Sequence, residues 1–302
     1  MRAVRLLLVS SSLCTAVTAL AGCGAPKTTS GPSISLPSSG FAADTTTHKI
    51  YVVNFYDDEV TTYLDNGKPT SPIISTPTHP YGIDVDVNGK IYVTSFIPGS
   101  SSNTLTTYTP DGVPTTPTIT TDLCGPTGVA VDKHFNIWVS NACGAVTIYN
   151  SDGEEIKKIT DGLSSCQNIW IDATANKVYV TNWASSVYMV ATYTLDGTRT
   201  KPTITQGLEA PNGVVSDDST GDIYVANYYG ANITTYDASG NEIQPTIRAN
   251  VSGPDGLALD SQQKLLYVAN TGSNTLTTYR LNGRQTAPTI SGLGSPRGIA
   301  YH

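Results

Sequence analysis

The stretch KIYVVN, residues 49–54, is rich in β-branched and aromatic residues, which is typical of a buried β-strand. The chain repeats this strand with small changes: KIYVTS at 90–95, NIWVSN at 136–141, KVYVTN at 177–182, DIYVAN at 222–227 and LLYVAN at 265–270. Six near-copies of one strand indicate that a single structural unit is used six times.

Each copy is the second of four predicted strands in its unit. A first strand precedes it: GFAAD (40–44), GIDVD (82–86), GVAVD (128–132), NIWID (168–172), GVVSD (213–217) and GLALD (256–260). A third strand follows it after a loop: VTTY (60–63), LTTY (105–108), VTIY (146–149), VATY (190–193), ITTY (233–236) and LTTY (276–279). A turn that ends in glycine, often Asn-Gly or Asp-Gly, then leads to a fourth strand, and this glycine recurs about every 43 residues.

Four antiparallel strands in each of six units predict an all-β fold, a six-bladed β-propeller of four-stranded blades. Each blade has two apolar faces and can bury them only against its neighbours in a ring. The chain ends with a seventh copy of the first strand, GIAYH (298–302), and PSISL (33–37) resembles an extra fourth strand. We therefore expect one terminus to complete a blade begun by the other, with a partial seventh blade as the alternative.

The IYVAN and IYVTN strands, together with the pattern Pro-x-Gly-[Ile/Val]-x-x-Asp at the first strand, resemble the NHL and YVTN families of β-propeller repeats. The resemblance covers nearly all of residues 40–302 and implies the propeller fold. It implies no particular function, because one fold hosts many functions.

The first 22 residues are predicted to be a bacterial lipoprotein signal peptide. A short basic region is followed by LLLVSSSLCTAVTAL, an apolar stretch too short and too rich in Ser and Thr for a membrane span. The stretch ends in LAGC (20–23), which resembles the lipobox of bacterial lipoproteins. The resemblance implies that Cys23 is acylated and becomes the new N-terminus of a protein anchored in the cell envelope.

The organisation that follows is a tether and one domain. Residues 23–32 are predicted to be a flexible lipidated tether, and residues 33–302 the propeller. Gly24 stands where an Asp would imply retention at the inner membrane, so the outer membrane is expected in a Gram-negative cell. The net charge of −7 argues against a nucleic-acid partner, because phosphate binding needs a basic face.

Three cysteines follow Cys23 in a compartment that is expected to be oxidising. They are Cys124, Cys143 and Cys166, so one disulfide and one free thiol are expected. The pair Cys124–Cys143 is preferred because both residues lie in predicted loops serving adjacent strands of one blade. The competing pair is Cys143–Cys166, and the spacing argues against a zinc site.

The repeat itself accounts for many residues that could otherwise suggest a site. Tyr residues of the second and third strands are expected to pack between blades, with each hydroxyl reaching a blade edge. The Asp that ends each first strand precedes a tight turn and is expected to cap it. Only departures from the repeat point to function.

These departures gather on one side of the ring. The loop before each first strand and the loop after each second strand open on the same side, here called the top face. One variable residue before each first strand is predicted to ring the channel mouth: Ser39, Tyr81, Thr127, Gln167, Asn212 and Asp255, with Arg297 before the extra strand. The residue after the second strand is aromatic in four blades: Phe55, Phe96, Trp183 and Tyr228, and Tyr56 and Tyr229 directly follow two of them. This pattern predicts a binding surface for a protein, peptide or carbohydrate ligand, and the alternative is a structural lid of aromatic side chains.

Two turns suggest a different function. APNG (210–213) and GPDG (253–256) resemble gluconolactonase-type six-bladed propellers, which present an Asn and an Asp to a divalent cation in the channel. The resemblance implies Asn212 and Asp255 as metal ligands of a metal-dependent hydrolase or lactonase. The Glu that this family adds from its first blade is missing, because the matching stretch is PSSG.

The histidines do not form a catalytic set. His48 and His134 fall in turns on the opposite face, and His79 has no evident acid or base partner. No catalytic residue is therefore predicted, and no cofactor apart from the divalent cation of the lactonase alternative. The sequence favours a lipid-anchored binding scaffold over an enzyme.

Overall fold

The computed structural model describes residues 48–99, 102–183 and 187–302. These residues form six four-stranded antiparallel sheets without a helix, and the first strand of each sheet contacts the first strands of its two neighbours around a central channel. The predicted six-bladed β-propeller is confirmed. The signal peptide, Cys23, the tether, Ser39 and the predicted strands at 33–37 and 40–44 lie outside the described residues. Within the described ranges, no helix is long and apolar enough to cross a membrane.

The strands follow one another from the channel outwards in each blade. Blade 1 contains β1 (Lys49–Asn54), β2 (Glu59–Leu64) and β3 (Pro69–Ser75). Blade 2 contains β4 (Pro80–Val85), β5 (Ile91–Ser95), β6 (Thr104–Tyr108) and β7 (Pro114–Ile119), and blade 3 contains β8 (Pro126–Val131), β9 (Ile137–Asn141), β10 (Ala145–Tyr149) and β11 (Glu155–Ile159). Blade 4 contains β12 (Cys166–Asp172), β13 (Lys177–Trp183), β14 (Tyr188–Thr194) and β15 (Arg199–Ile204). Blade 5 contains β16 (Pro211–Ser216), β17 (Ile223–Asn227), β18 (Asn232–Tyr236) and β19 (Glu242–Ile247), and blade 6 contains β20 (Pro254–Asp260), β21 (Leu265–Asn270), β22 (Thr275–Arg280) and β23 (Gln285–Ser291).

The last strand, β24 (Pro296–Tyr301), closes the ring by returning to blade 1. It pairs antiparallel with β1, with Ile299 opposite Val52. The backbones of Lys49 and His302 also exchange two hydrogen bonds of 2.7 and 3.0 Å. Closure by a terminal strand is confirmed. The assignment of GFAAD (40–44) to the inner position of blade 1 is wrong, because β24 occupies that position.

A glycine near the start of the inner strand, present in five of the six blades, lets the inner strands converge. A Cβ atom on Gly256 would lie 2.1 Å from the backbone oxygen of Arg297, and one on Gly213 would lie 2.3 Å from that of Asp255. Any larger residue at these positions would meet the backbone of the next blade. Blade 4 is the exception, because it carries Asn168 at this position.

Neighbouring blades pack through apolar faces and are joined by the repeated polar residues. Each third-strand Tyr packs between blades, and the Tyr149 hydroxyl donates to the backbone oxygen of Thr121 at 2.9 Å. Asp132 caps its turn, since one carboxylate oxygen accepts the His134 N–H at 2.8 Å and the other accepts the Trp138 indole N–H at 3.1 Å. Both expected roles of repeated residues are confirmed at these positions.

Candidate functional site on the top face

The Asn at the end of the second strand positions the loop that leads into the inner strand of the same blade. In blade 1 the Gly294 N–H donates to Asn54 Oδ1 at 3.1 Å, and in blade 5 the Glu209 N–H donates to Asn227 Oδ1 at 3.0 Å. These buried side chains satisfy backbone donors that have no strand partner. The repeated Asn of the IYVAN strand therefore fixes the loops that carry the candidate site.

The predicted ring residues lie inside the inner strands, at a β-bulge, rather than in the loops before them. In blade 2, Pro80 pairs with Ser95 and Ile83 with Val93, so the inner strand holds one extra residue between the two pairs. Irregularities of register occur at the corresponding place in the other five blades. A bulge redirects the side chain of the extra residue. This is how the strand start aims one variable residue per blade at the channel mouth.

Arg297 occupies the ring position of blade 1, between Tyr81 of blade 2 and Asp255 of blade 6. Its Nη1 donates to the Asp255 carboxylate at 2.9 Å and to the Tyr81 hydroxyl at 2.8 Å. The Asn212 side chain of blade 5 also acts to lower the pKa of the Asp255 carboxyl. Three consecutive blades, 6, 1 and 2, therefore contribute one hydrogen-bonded polar group, with the guanidinium at its centre.

Burial governs the electrostatics of this group. Asp255 is only 3% exposed, and burial raises the pKa of its carboxyl while the Arg297 guanidinium acts to lower it. Burial also raises the pKa of the Tyr81 hydroxyl, so the phenol remains neutral. Asn212 Oδ1 and Arg297 Nε are buried without a hydrogen-bond partner among the described residues. Within this group the positive charge of Arg297 and the negative charge of Asp255 offset each other.

One aromatic cluster surrounds the guanidinium of Arg297. Its central carbon lies 4.5 Å from the ring centroid of Phe55 and 4.6 Å from that of Tyr81, which are cation–π distances. His79 stacks on Phe55 with the ring centroids 4.6 Å apart. Tyr56 contacts Phe55 edge-on and is 73% exposed. Phe55 thus supports the ion pair, and Tyr56 is the residue of this cluster that faces solvent.

A second aromatic cluster lies on blades 4 and 5. Trp183 contacts Tyr188 and Tyr229 with ring centroids 6.3 and 6.0 Å apart, and Tyr228 contacts Tyr229 at 5.5 Å. The Trp183 indole N–H donates to the backbone oxygen of Pro211 at 2.8 Å, which ties the ring to the start of β16. Tyr229 is 69% exposed, whereas Trp183 and Tyr228 are partly buried.

The other predicted residues do not join these groups. The Thr127 hydroxyl donates to the backbone oxygen of Cys166 at 3.0 Å, and Gln167 bonds to Ser165 in its own loop. Phe96 packs beside Gly125 and Ala142 of blade 3. The structure therefore brings together Phe55, Tyr81 and Asp255 around Arg297, and it gathers Trp183 and Tyr228 separately.

Sequence reasoning placed Tyr56, Tyr229 and Arg297 on the top face but did not identify their particular roles. Tyr56 and Tyr229 occupy the same place in blades 1 and 5, directly after the aromatic residue that follows the second strand, and they are the most exposed rings of their clusters. Arg297 was expected in the ring, but its contacts with Tyr81 and Asp255 follow only from the C-terminal strand filling blade 1 between blades 6 and 2.

The residues at the mouth do not fit a divalent cation. Asn212 and Asp255 offer one amide and one carboxylate, whereas calcium takes about six to eight oxygen ligands. The Asp255 carboxylate is also paired with the Arg297 guanidinium at 2.9 Å. In the described part of the chain, no group of three or more His, Cys, Asp or Glu side chains could hold a metal ion.

The cysteines of blades 3 and 4 form one disulfide and one thiol. Cys124 and Cys143 are joined, with their Cα atoms 5.7 Å apart, and the Cys143 N–H donates to the backbone oxygen of Cys124. Cys166, the first residue of β12, is free and buried. Burial raises the pKa of its thiol to about 12, so the thiol stays protonated. The disulfide therefore links two loops of the top face, and Cys166 packs in the hydrophobic core.

No family model and no curated protein matches the chain, but solved structures do. A chain of the nidogen/laminin complex is 16% identical with a TM-score of 0.73, and the match covers 84% of this chain and 98% of that chain. A streptogramin B lyase is 15% identical with a TM-score of 0.62, covering 83% of both chains. Virginiamycin B lyase from Staphylococcus aureus is 15% identical with a TM-score of 0.61, covering 83% of this chain and 84% of that one. At such low identity the likeness shows the fold alone: this chain is a six-bladed β-propeller, and structures similar to it include both lyases and a member of a protein–protein complex.

Proposed function

We propose that this chain is a lipid-anchored propeller of the bacterial cell envelope that binds a protein, peptide or carbohydrate ligand through its top face. The observation that carries the proposal is the pair of aromatic clusters around Arg297 and Trp183, each with one highly exposed Tyr. Blade 6 lies between blades 5 and 1, and its top loop has Thr271 and Gly272 where those blades have paired aromatic residues. The small residues Thr271 and Gly272 leave space between the two aromatic clusters, and an extended ligand could lie across this space and contact both clusters.

The chemistry of the mouth favours an uncharged ligand. Because Arg297 and Asp255 neutralise each other, neither is free to bind a strong anion or cation. Flat aromatic rings offer large contact areas at little cost in side-chain entropy, which suits sugar rings and peptide groups. A protein-binding reading is consistent with the similar fold in the nidogen/laminin complex.

The test removes the two exposed rings by Tyr56→Ala and Tyr229→Ala. Binding is measured by titration calorimetry against chitohexaose and against a library of uncharged peptides. We expect the double variant to lose binding by about tenfold or more, because exposed Tyr residues at interfaces are frequent hot spots. Stability should change by less than about 0.5 kcal/mol per site, since both side chains are mainly in solvent.

Val87→Ala provides the matched control. Val87 is 82% exposed and lies in a turn between the first and second strands, on the opposite face. Its replacement should leave binding unchanged. If the double Tyr variant binds every probe as tightly as the parent, or if Val87→Ala weakens binding equally, the top face is not the binding surface.

The hydrolase or lactonase alternative makes a different prediction. If Asn212 and Asp255 held a divalent cation, Mg²⁺ or Ca²⁺ should raise the melting temperature of the parent protein and not that of Asp255→Ala. We expect no such rise, because the Asp255 carboxylate is committed to Arg297. A metal-dependent rise that Asp255→Ala abolishes, accompanied by lactone hydrolysis, would favour the enzyme.

The lipid anchor is tested separately from binding. We expect the full-length protein to sediment with membranes and Cys23→Ser to be released into the soluble fraction, since acylation of Cys23 is the proposed attachment. Mass spectrometry of the mature N-terminus measures the modification directly. An unmodified N-terminus at Gly24 or Ala25 would rule the anchor out.

A further inference from the structure

The central channel contains a cavity that is separate from the top-face site. Its volume is about 220 Å³, and it is lined by the middle residues of the inner strands, including Ile83, Val131, Leu257 and Ile299. None of the ring residues of the top face lines it. The inner strands are the edges of their sheets, so backbone groups that no strand pairs with face this space.

Three departures from the repeat converge on this cavity. Asp84 stands where the other inner strands carry Ala, Val or Trp, Trp170 stands at that same position of blade 4, and Asn168 replaces the glycine that begins the other inner strands. All three line the cavity. The repeat explains none of them, and the top-face site uses none of them.

Asp84 is the only carboxylate among the residues that line the cavity. Its Oδ2 accepts the backbone N–H of Val131, from the next blade, at 2.7 Å. No described Lys, Arg or His forms an ion pair with it, because the three ion pairs of the described chain involve Asp65, Asp217 and Asp255. A buried carboxylate without a counter-ion is costly to ionise.

The other polar groups are positioned by neighbouring blades. The Trp170 indole N–H donates to the Ser216 hydroxyl at 3.0 Å, and that hydroxyl donates to Asp172 at 2.9 Å. The indole is thus held in place by a chain of hydrogen bonds to blade 5. A fixed indole offers an aromatic surface to a bound group.

We propose that this cavity is a second binding site, which takes a small organic cation: an ammonium group on a compact apolar or aromatic body. The Asp84 carboxylate is the counter-ion, and the Trp170 indole with aliphatic side chains such as Ile83 and Leu257 contacts the body, while the unpaired backbone oxygens of the inner strands can accept from the ammonium N–H groups. Burial raises the pKa of Asp84 to about 7, with Asp86 just after the same strand adding to the effect, so the carboxylate is ionised above neutral pH.

The volume sets the size of the ligand. A dry apolar cavity of about 150 Å³ is sufficient for benzene, so about 220 Å³ accommodates a benzene ring with an aminomethyl group. Benzylamine is therefore the probe. Benzyl alcohol is its neutral analogue of the same shape, and benzoate is its anionic counterpart.

The assay uses the indole N–H resonances of the full chain labelled with ¹⁵N, at about pH 8, where Asp84 is ionised. The protein has three Trp residues, so the resonances are assigned by single replacements. Trp170 reports on the cavity, Trp183 on the top face and Trp138 on the core of blade 3. We expect benzylamine to shift the Trp170 resonance saturably and to leave Trp183 unchanged.

Charge recognition is tested by Asp84→Asn, which keeps an acceptor for the Val131 N–H and removes the charge. We expect benzylamine to bind Asp84→Asn at least about tenfold more weakly than it binds the parent protein. We expect the same loss of affinity when benzyl alcohol replaces benzylamine on the parent protein. Benzoate should not bind. Asp152→Asn, which removes an exposed carboxylate of blade 3, should leave benzylamine affinity unchanged.

Several outcomes would overturn the proposal. If Asp84→Asn retains full affinity, Asp84 serves only to satisfy the Val131 N–H. If benzyl alcohol binds as well as benzylamine, the cavity binds without charge recognition, and this comparison stands even if a variant fails to fold. If benzylamine shifts only Trp183, the amine binds the top face and the channel is not a site.

Discussion

Deletion of residues 296–302 removes the innermost strand of blade 1 and opens the ring. β24 is covalently the end of blade 6 but pairs with β1, so it joins the two ends of the described chain. Ile299 is 6% exposed and packs in the cluster between blades 1 and 6. The deletion also removes Arg297, which leaves Asp255 buried without its guanidinium partner.

The size of the effect follows from these losses. Burial of Ile299 contributes about 2–3 kcal/mol, the two backbone hydrogen bonds of His302 about 0.5–1.5 kcal/mol each, and the broken Arg297–Asp255 pair about 3–5 kcal/mol. The total of roughly 6–11 kcal/mol is comparable to the whole stability of a typical domain, about 5–15 kcal/mol. The truncated chain should therefore lose its cooperative fold rather than fray at one blade.

The assay is thermal and urea unfolding followed by circular dichroism on the parent, the truncated chain and a matched pair of point variants. Ile299→Ala should cost about 2–4 kcal/mol, because it empties a buried site. Ile73→Ala deletes the same atoms from the outer strand β3, where the side chain is 65% exposed, and should cost less than about 0.5 kcal/mol. A truncated chain that melts within about 2 °C of the parent, or equal effects of the two Ile variants, would refute closure by β24 as the source of stability.

Three further predictions concern the top of the ring. Gly256→Ala places a Cβ atom 2.1 Å from the backbone oxygen of Arg297 and should therefore lower the free energy of unfolding, measured by urea titration, by about 1–3 kcal/mol. An unchanged free energy of unfolding would mean that the inner strands of blades 6 and 1 can move apart without cost. Arg297→Ala should lower the free energy of unfolding by about 3 kcal/mol, and by more at about pH 8 than at about pH 4. Burial raises the pKa of Asp255, so ionisation of this carboxyl destabilises the folded state as pH rises, and without Arg297 nothing offsets that cost. A loss of stability that does not depend on pH would contradict this reasoning. The double variant Cys124→Ala, Cys143→Ala should lower the free energy of unfolding by about 3 kcal/mol, as expected for a disulfide between residues 19 apart, and reduction of the parent protein should have the same effect. If neither change lowers the free energy of unfolding, the disulfide does not constrain the unfolded chain.

The fold was predictable from the sequence because the repeat encodes it several times. The IYVAN strand, the turn glycine and the third-strand Tyr each recur at fixed offsets, so a mistake in one blade is corrected by the others. The strand starts were less predictable. The ring residues were expected in loops, but the bulge that follows each strand start places them within the inner strands, and a bulge has no distinct residue signature here.

The candidate site was predictable in its location but not in its connections. The aromatic departures at Phe55 and Trp183 and the polar residues Asn212 and Asp255 all lie on the top face, as the alternation of strands requires. Which of them touch depends on blade order around the ring and on side-chain reach. Tyr81 and Asp255 are far apart in sequence, and they share a guanidinium only because blade 1 lies between blades 6 and 2.

Ring closure and the top-face site are therefore coupled through one short segment. β24 supplies the inner strand that completes blade 1, and two residues into that strand it supplies Arg297, the cation on which Tyr81, Asp255 and Phe55 converge. A chain whose last strand has not docked lacks both the closed core and the centre of the site. Binding at the mouth should consequently stabilise the closed ring, since any ligand that contacts this group binds only the form in which β24 is in place. The same argument explains why the group around Arg297 combines residues from the first and last blades. The inner position of blade 1 is the one position that the repeat does not fill in sequence order, and β24, the strand that closes the ring, fills it.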